Sequence, residues 1–395
     1  MTAPALERER VLELIYRHGY NATAFQTLET GYRYFFHGTD ACVAYVDTGA
    51  AWVVAGAPIA STSELASVTH AFLRRARDAG KRACFFATEE RLQRALDGGI
   101  RSLQIGEQAV YDPNRWTETL SERRSLREQL RRARAKGVRV RALEPAELDA
   151  PATRDAMNHL TRRWSASHGL PALDFLVRVE PFFFPAHRRC FVAEREGRLL
   201  GFAGVVPVPA RRGFLLEDLI REPSAPNGTA ELLVDGVMRF AAATGSEFLT
   251  LGLAPLAGNV PRALRLAKKS GSFLYDFDGI RAFRHKLAPD SWSSIYLSHP
   301  TSQGAVPSLF DALSAFAGGS LLRFGVRSLL RRLDGRSTSS SHAHRADRID
   351  ARGLERRQQS AEHADQRPGE QRQAEERRAR HETEEQLLPR GLVLS

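Results

Sequence analysis

The sequence predicts an α/β protein built as two similar halves in tandem. Three observations lead there. Strand-like and helix-like segments alternate along residues 1–335, the order hairpin, helix, strand occurs twice, and hydrophobic residues make up 43% of the 395. A chain of this length has room for two or three domains, each with its own core.

In the first half, apolar spacing predicts a helix over Leu6 to His18 that ends at Gly19. ACVAYVDTGAAWVVAG then reads as a hairpin turning near Asp47–Gly49. Ser61 to Ala79 is an amphipathic helix whose Ser61-x-x-Glu64 start fits a capping box. A strand from Lys81 to Thr88, a short helix to Asp97 and a strand from Ser102 to Tyr111 complete the unit. The second half repeats the plan from Arg189: RCFVAER, a turn at Glu196-Gly197, LLGFAGVVPV, GFLLEDLI, the helix AELLVDGVMRFAAATG and the strand EFLTLGLA.

Between the halves, residues 115–137 predict one long basic helix followed by the strand VRVRAL, and residues 150–167 predict another helix. Residues 308–333 form an amphipathic segment broken at Gly318-Gly319. In it Leu321, Leu322, Phe324, Leu329 and Leu330 stand beside Arg323, Arg327, Arg331 and Arg332. An apolar face edged with Arg suits an anionic bilayer surface, and it suits equally a terminal helix packed on the core. Residues 336–395 hold no Phe, Tyr or Trp and predict a disordered tail, since they offer too little apolar surface to offset the entropy of ordering.

Charge narrows the partners. Net charge is +11; the tail carries twelve Arg against eleven Asp plus Glu, so +10 belongs to residues 1–335 and an anionic partner is expected. Cys42, Cys84 and Cys190 sit far apart in apolar runs and read as buried thiols, which points to a reduced compartment and to neither disulfides nor a metal site. The charged opening MTAPALERERVLEL does not resemble a secretory leader, and no apolar run is long enough to span a bilayer.

Three blocks could carry chemistry. In residues 213–240 a strand ends in Glu217-Asp218, then come Arg221, a Pro-bounded loop, and a helix opening at Asn227-Gly228-Thr229. A helix N-terminus favours an anion, Gly228 permits close approach, and the acids could accept a proton or hold an ammonium group. N-capping by Asn227 and a surface pair between Asp218 and Arg221 would explain the same residues structurally. Residues 250–259, TLGLAPLAGN, run from a strand into an uncharged Gly/Pro loop. In residues 274–289, Asp278 and Arg281 flank Gly279-Ile280 among Tyr275, Phe277 and Phe283, as an amino-acid site or as an ion pair holding a turn.

Together these blocks resemble a known family. PNGTAELL after an acidic strand, then LGLAPL, then FDGIRAFRHKLAP are similar to the ordered APNG, LGMAPL and FxGLRxFKxKF-like signatures of the phosphatidylglycerol lysyltransferases, the multiple peptide resistance factors. LREQLRRARAKGV is similar to that family's Arg-rich segment, and the likeness covers about residues 20–300. It implies two tandem GNAT (acetyltransferase-like) domains with mixed sheets flanked by helices. The first would occupy 1–114 and the second, catalytic, 143–300, joined by a basic helix and strand over 115–142.

The resemblance also implies a reaction, transfer of an aminoacyl group from aminoacyl-tRNA to the hydroxyl of phosphatidylglycerol, at the cytoplasmic membrane face. By position it marks Asp218, Glu231, Asp278 and Arg281 as catalytic, and Glu217, Arg221, Asn227, Gly228 and Lys286 as substrate-binding. Asp278 stands where many members have Gln, which singles it out for the aminoacyl ammonium. The family's membrane spans and tRNA-ligase domain are not read in these 395 residues, so bilayer contact is expected at a surface. A Q/R-x-x-G-x-G/A loop is missing, so neither acetyl-CoA nor any other cofactor is expected.

Residue chemistry fits a direct transfer. An aminoacyl ester is already activated, so its attack by an alcohol needs positioning, a proton acceptor and help for the oxyanion. No Ser-His-Asp or Cys-His set stands out, so no covalent enzyme intermediate is expected. Arg123, Arg124, Arg127, Arg131 and Arg132 are the expected contacts to tRNA or lipid phosphates, with a merely solvated face as the alternative. Two further readings stand: a transferase of the same fold with a soluble or peptidoglycan-precursor acceptor, and a non-catalytic module that binds tRNA or membrane.

Overall fold

The protein is described by a computed structural model over residues 3–96, 98–168, 175–261 and 277–318. The tail 336–395, and residues 319–333 of the amphipathic segment, lie outside the described residues. Those described belong to one compact unit.

Helix α1 (Ala3–His18) and a 3₁₀ segment (Ala22–Leu28) precede strands β1 (Arg33–His37), β2 (Ala41–Asp47) and β3 (Ala51–Ala55). Helix α2 (Leu65–Asp78), β4 (Arg82–Thr88), α3 (Glu90–Ala95) and β5 (Ile100–Tyr111) follow. After α4 (Trp116–Glu122) and α5 (Arg124–Ala135) come β6 (Arg139–Ala142), α6 (Pro145–Asp149) and α7 (Pro151–His168). The second half then runs β7 (Arg189–Arg195), β8 (Arg198–Val208), β9 (Gly213–Arg221), α8 (Thr229–Ala243) and β10 (Phe248–Pro255). It closes with α9 (Phe277–Lys286), β11 (Ser291–Pro300) and α10 (Ala305–Phe316).

The expected α/β class is present, with one difference in how the halves join. The eleven strands among the described residues form a single mixed sheet, ordered β1-β2-β3-β4-β11-β5-β10-β9-β8-β7-β6. Among the described residues only β3–β4 and β9–β10 are parallel, one such pair per half, each linked by a helix. The halves then exchange their last strands. β5 pairs with β10 of the second half, and β11 lies between β4 and β5, with ten residues in register on β5. Unpaired edges at β4 and β10 are thereby covered, so no open edge remains at the junction.

Local chemistry explains most elements. Glu196 and Gly197 both have positive φ (53° and 75°), the conformation a two-residue hairpin needs. Strand β2 alternates faces, with Val43 and Tyr45 packing with Phe72 of α2 while Cys42 packs with Ile15 and Phe25 of the opposite layer. Two local expectations change. The Ser61 hydroxyl donates to the Glu64 carboxylate (3.0 Å) and no capping box forms, because 61–64 is a turn and α2 starts at Leu65. The long basic helix is two helices, broken at Arg123 (φ −93°, ψ 78°), so that both Trp116 with Leu120 and Leu126 with Leu130 reach the core under α8.

Candidate active site

The parallel pairing of β9 with β10 lasts three residues, Gly213 to Leu215 against Phe248 to Thr250. Strand β10 then bulges between Thr250 and Leu253, where Gly252 takes φ 70°, and continues on β5 alone. A wedge opens between β9 and β10 at the level of Glu217 and Asp218. Arg284 of α9 reaches into it, donating to the Leu251 carbonyl at 2.5 Å.

A bulge in β9 builds the acidic side of the wedge. Leu216 pairs with Val205 and Asp218 with Gly204, leaving Glu217 as the extra residue. Without the bulge neighbouring side chains would face opposite sides of the sheet; with it, both carboxylates meet Arg188. The guanidinium bonds Glu217 directly and lies 3.9 Å from Asp218 Oδ2. Gly204 leaves room for this, since a Cβ there would sit 3.1 Å from Asp218 Oδ2. Glu29, just after the 3₁₀ segment, adds a third buried carboxylate from the first half.

Three carboxylates thus share one guanidinium. Side chains of Arg188, Glu217 and Asp218 are 1%, 3% and 4% exposed. Burial, then repulsion from Glu217, pushes Asp218 up to about 8 despite Arg188. Burial, then the same neighbour, raises Glu29 to about 9, and burial raises Glu217, opposed by Arg188. Glu29 Oε1, Glu217 Oε1, Asp218 Oδ2 and Arg188 Nη2 have no hydrogen-bond partner. Buried polar atoms are rarely left so, and several in one place single out this centre as the candidate site.

A second cluster forms at the start of α8. Glu231, buried in the first turn, accepts from Lys286 Nζ (2.7 Å) and from Gln129 Nε2 of α5 (3.1 Å). Gln129 also donates to Asn227 Oδ1 (2.9 Å). Asn227 is therefore not the N-cap: Gly228 holds that position at φ 96°. The close approach that Gly228 permits is made by α5, for a Cβ there would stand 2.8 Å from the Gln129 carbonyl oxygen.

Other expected residues fall in different places. Arg221, at the exposed end of β9, donates to the carbonyls of Glu222 and Pro223, so the surface pair with Asp218 is absent and Asp218 faces Arg188 instead. Arg281 sits 3.7 Å from Glu107 and over the Trp292 ring, 5.5 Å from its centroid. Asp278 belongs to the first turn of α9, and its side chain lies outside the described residues.

At the break before α5 and along it the arginines divide. Arg131 pairs with Glu128, and Arg127 donates to the Leu120 and Ser121 carbonyls at the end of α4. Arg134 pairs with buried Asp235, which also binds Trp116 Nε1 (2.9 Å) and Arg239 (3.0 Å). Arg123, Arg124, Arg132 and Lys136 form no ion pair among the described residues. No group of His, Cys, Asp and Glu suited to a metal occurs among the described residues.

Sequence reasoning missed Arg188, Glu29 and Gln129. Gln129 alone left a trace, a polar residue beside the apolar stripe Leu126, Leu130, Ala133. Glu29 and Arg188 are one acid and one base among many, and only the fold sets them beside β9.

Comparisons with known proteins show the family and the fold. Residues 12–299 match the family described as phosphatidylglycerol lysyltransferase, C-terminal. The phosphatidylglycerol lysyltransferase of Bacillus subtilis is 25% identical over 314 residues, 76% of this chain and 36% of that protein. A lysylphosphatidylglycerol biosynthesis bifunctional protein of Nocardia farcinica is 28% identical over 153 residues, 38% of this chain and 13% of its own length. The chain thus spans about a third or less of these relatives. Among solved structures, the C-terminal domain of a lysylphosphatidylglycerol synthetase from Agrobacterium fabrum superposes with TM-score 0.70 at 24% identity, covering 81% of this chain and 99% of that one. L-PGS from Bacillus licheniformis gives 0.68 at 20%, covering 78% and 95%. With a match over most of its length, this chain belongs to the family of phosphatidylglycerol lysyltransferase C-terminal domains.

Proposed function

We propose that this protein transfers an aminoacyl group from aminoacyl-tRNA to a hydroxyl of phosphatidylglycerol. The observation that carries the reading is the buried centre of Glu29, Glu217 and Asp218 around the single Arg188, with an orphaned oxygen on each acid. A centre with spare negative capacity is what a cationic aminoacyl group needs. A carboxyl held near 8 is also poised to take or give a proton at neutral pH.

In the reaction, Asp218 as carboxylate accepts the proton of the lipid hydroxyl. The freed oxygen attacks the ester carbonyl, the bond to the tRNA's terminal ribose oxygen breaks, and that oxygen takes a proton back. Lys286, held by Glu231, and Arg281 stabilise the developing negative charge or a phosphate, while Asn227 with Gln129 fixes the start of α8. Asp278 is the further candidate for the aminoacyl ammonium. Arg123, Arg124 and Arg132 supply contacts for tRNA phosphates. Apolar side chains exposed on α10 rest on the cytoplasmic face of the membrane, and no helix among the described residues is long and apolar enough to cross it.

Purified protein mixed with phosphatidylglycerol liposomes and labelled aminoacyl-tRNAs should place label in extracted lipid. Label confined to soluble product would overturn the lipid acceptor, and binding without transfer would overturn the enzyme.

A further inference from the structure

Strand β5 belongs to the first half, yet it lies between β11 and β10 of the second. Its residues Glu107, Ala109 and Tyr111 share one face, and α9 packs on it. Tyr111 Oη donates to the Arg284 carbonyl of α9 at 2.9 Å. Glu107 stands opposite Ala254, where β10 has parted from β9, and faces Arg281 one turn earlier in α9.

This contact is not an ordinary salt bridge. Arg281 Nη2 stops 3.7 Å from Glu107 Oε2, so no hydrogen bond forms, and Arg281 makes none elsewhere among the described residues. Glu107 Oε2 is shielded from solvent and likewise has no hydrogen-bond partner among the described residues. Gly258, at φ 76° in the loop after β10, lies against the carboxylate; a Cβ there would stand 2.0 Å from Glu107 Oε1. Trp292, on the same face of β11, lies under the guanidinium. The carboxylate and the indole therefore set where the guanidinium points and leave its N–H donors unused. With the Arg281 side chain 48% exposed, such a pair adds little stability, and a shielded oxygen without a partner subtracts from it. Stability does not account for the arrangement.

We propose that Glu107 is a positioning residue of the transfer reaction, aiming Arg281 at the charge that develops on the reacting group. The inference rests on the reaction proposed above, and it makes the catalytic half incomplete without the first half's last strand. A guanidinium free to swing must be ordered during the reaction; one already aimed needs no reorganisation at that moment. Attraction without a hydrogen bond suits this task, since a bidentate pair would occupy the N–H groups that the anion needs.

The test is steady-state transfer through a double-mutant cycle. Glu107→Gln keeps the side chain's shape and removes its charge. It should lower kcat about ten- to hundredfold, with KM for either substrate changed less than about threefold. In an Arg281→Ala background the same substitution should change kcat less than about twofold, because the residue it acts through is gone. Added guanidinium should restore part of the rate of Arg281→Ala and none of the rate of Glu107→Gln/Arg281→Ala. A readout without transfer is the NMR signal of the Arg281 side chain in the full chain, assigned by its loss in Arg281→Lys. Rotation of that guanidinium should be severalfold faster in Glu107→Gln than in wild type. Equal kcat in wild type and Glu107→Gln, or losses that multiply in the double variant, overturn the proposal. If wild type moves no aminoacyl group from any tRNA, the reaction above fails and the NMR signal decides: faster rotation in Glu107→Gln supports the positioning, and unchanged rotation overturns it.

Discussion

Lys286 Nζ lies 2.7 Å from Glu231 Oε1, joining the last turn of α9 to the first turn of α8. Both side chains are largely buried, and Glu231 also receives Gln129 from α5, so three helices meet on one carboxylate. Removing the cation strands a buried charge, which costs more than the pair contributes. Lys286→Met should lower stability by about 2 kcal/mol in urea unfolding. The double variant Lys286→Met/Glu231→Leu should recover part of it. Glu231→Gln should fold normally yet lose transfer activity by about a hundredfold or more. Wild-type turnover in Glu231→Gln would make the pair purely structural.

Asp218 and Glu29 make stability fall with rising pH. Both carboxyls are raised in the folded protein, to about 8 and about 9, so the native state keeps protons that the unfolded chain gives up near pH 4. Their stabilising contribution is whole below the unfolded values and is lost progressively as pH climbs to 8 and 9. Each group contributes a slope of up to about 1.4 kcal/mol per pH unit within that window. Denaturant unfolding between pH 5 and 9 should show the decline, and Asp218→Asn should flatten it. A stability maximum at pH 8 to 9 in the wild type would contradict the assignment.

How far the sequence reveals this site differs from residue to residue. Helix α8, the turn at Glu196-Gly197 and the acidic end of β9 follow from periodicity, Gly placement and motif order. The exchange of β5 and β11 does not, because strand neighbours are chosen by which backbone edges remain open, and each strand reads the same whichever partner it takes. Glu217 and Asp218 look like opposite-facing neighbours until the bulge turns both to Arg188. Gly228 announces a close approach in the sequence, but not that α5 makes it. Long-range pairing carries the information that local pattern lacks.

The arginines of α5 should separate by their partners. Arg124→Ala and Arg132→Ala remove charges that form no ion pair among the described residues. Each should weaken tRNA binding and reduce the slope of log affinity against log salt by about one. Arg131→Ala should matter less, since its charge is shared with Glu128. Arg127→Ala should instead cost about 1 kcal/mol of stability, freeing the Leu120 and Ser121 carbonyls. Salt titrations of filter binding, with thermal melts beside them, distinguish the two classes. An identical salt slope in all four variants would remove α5 from the tRNA contact.

Helix α10 presents its apolar residues outward. Val306, Phe310 and Leu313 recur at helical spacing with 65%, 56% and 45% exposure, while Ser308 and Asp311 are buried on the inner side. Arg82 holds Asp311 with two hydrogen bonds (2.9 and 2.6 Å), and Cys84 donates to the Ser308 carbonyl, so the helix is fixed in this orientation by polar contacts. A helix anchored by its polar side leaves its apolar side for another surface, and the Arg-edged sequence that follows favours an anionic one. Phe310→Ser should lower binding to phosphatidylglycerol vesicles by about tenfold or more, the value of one buried aromatic side chain. Affinity for tRNA should stay unchanged, because the substitution removes no charge. Vesicle flotation that is equal for wild type and Phe310→Ser would remove α10 from the membrane contact and leave its apolar face to another protein surface.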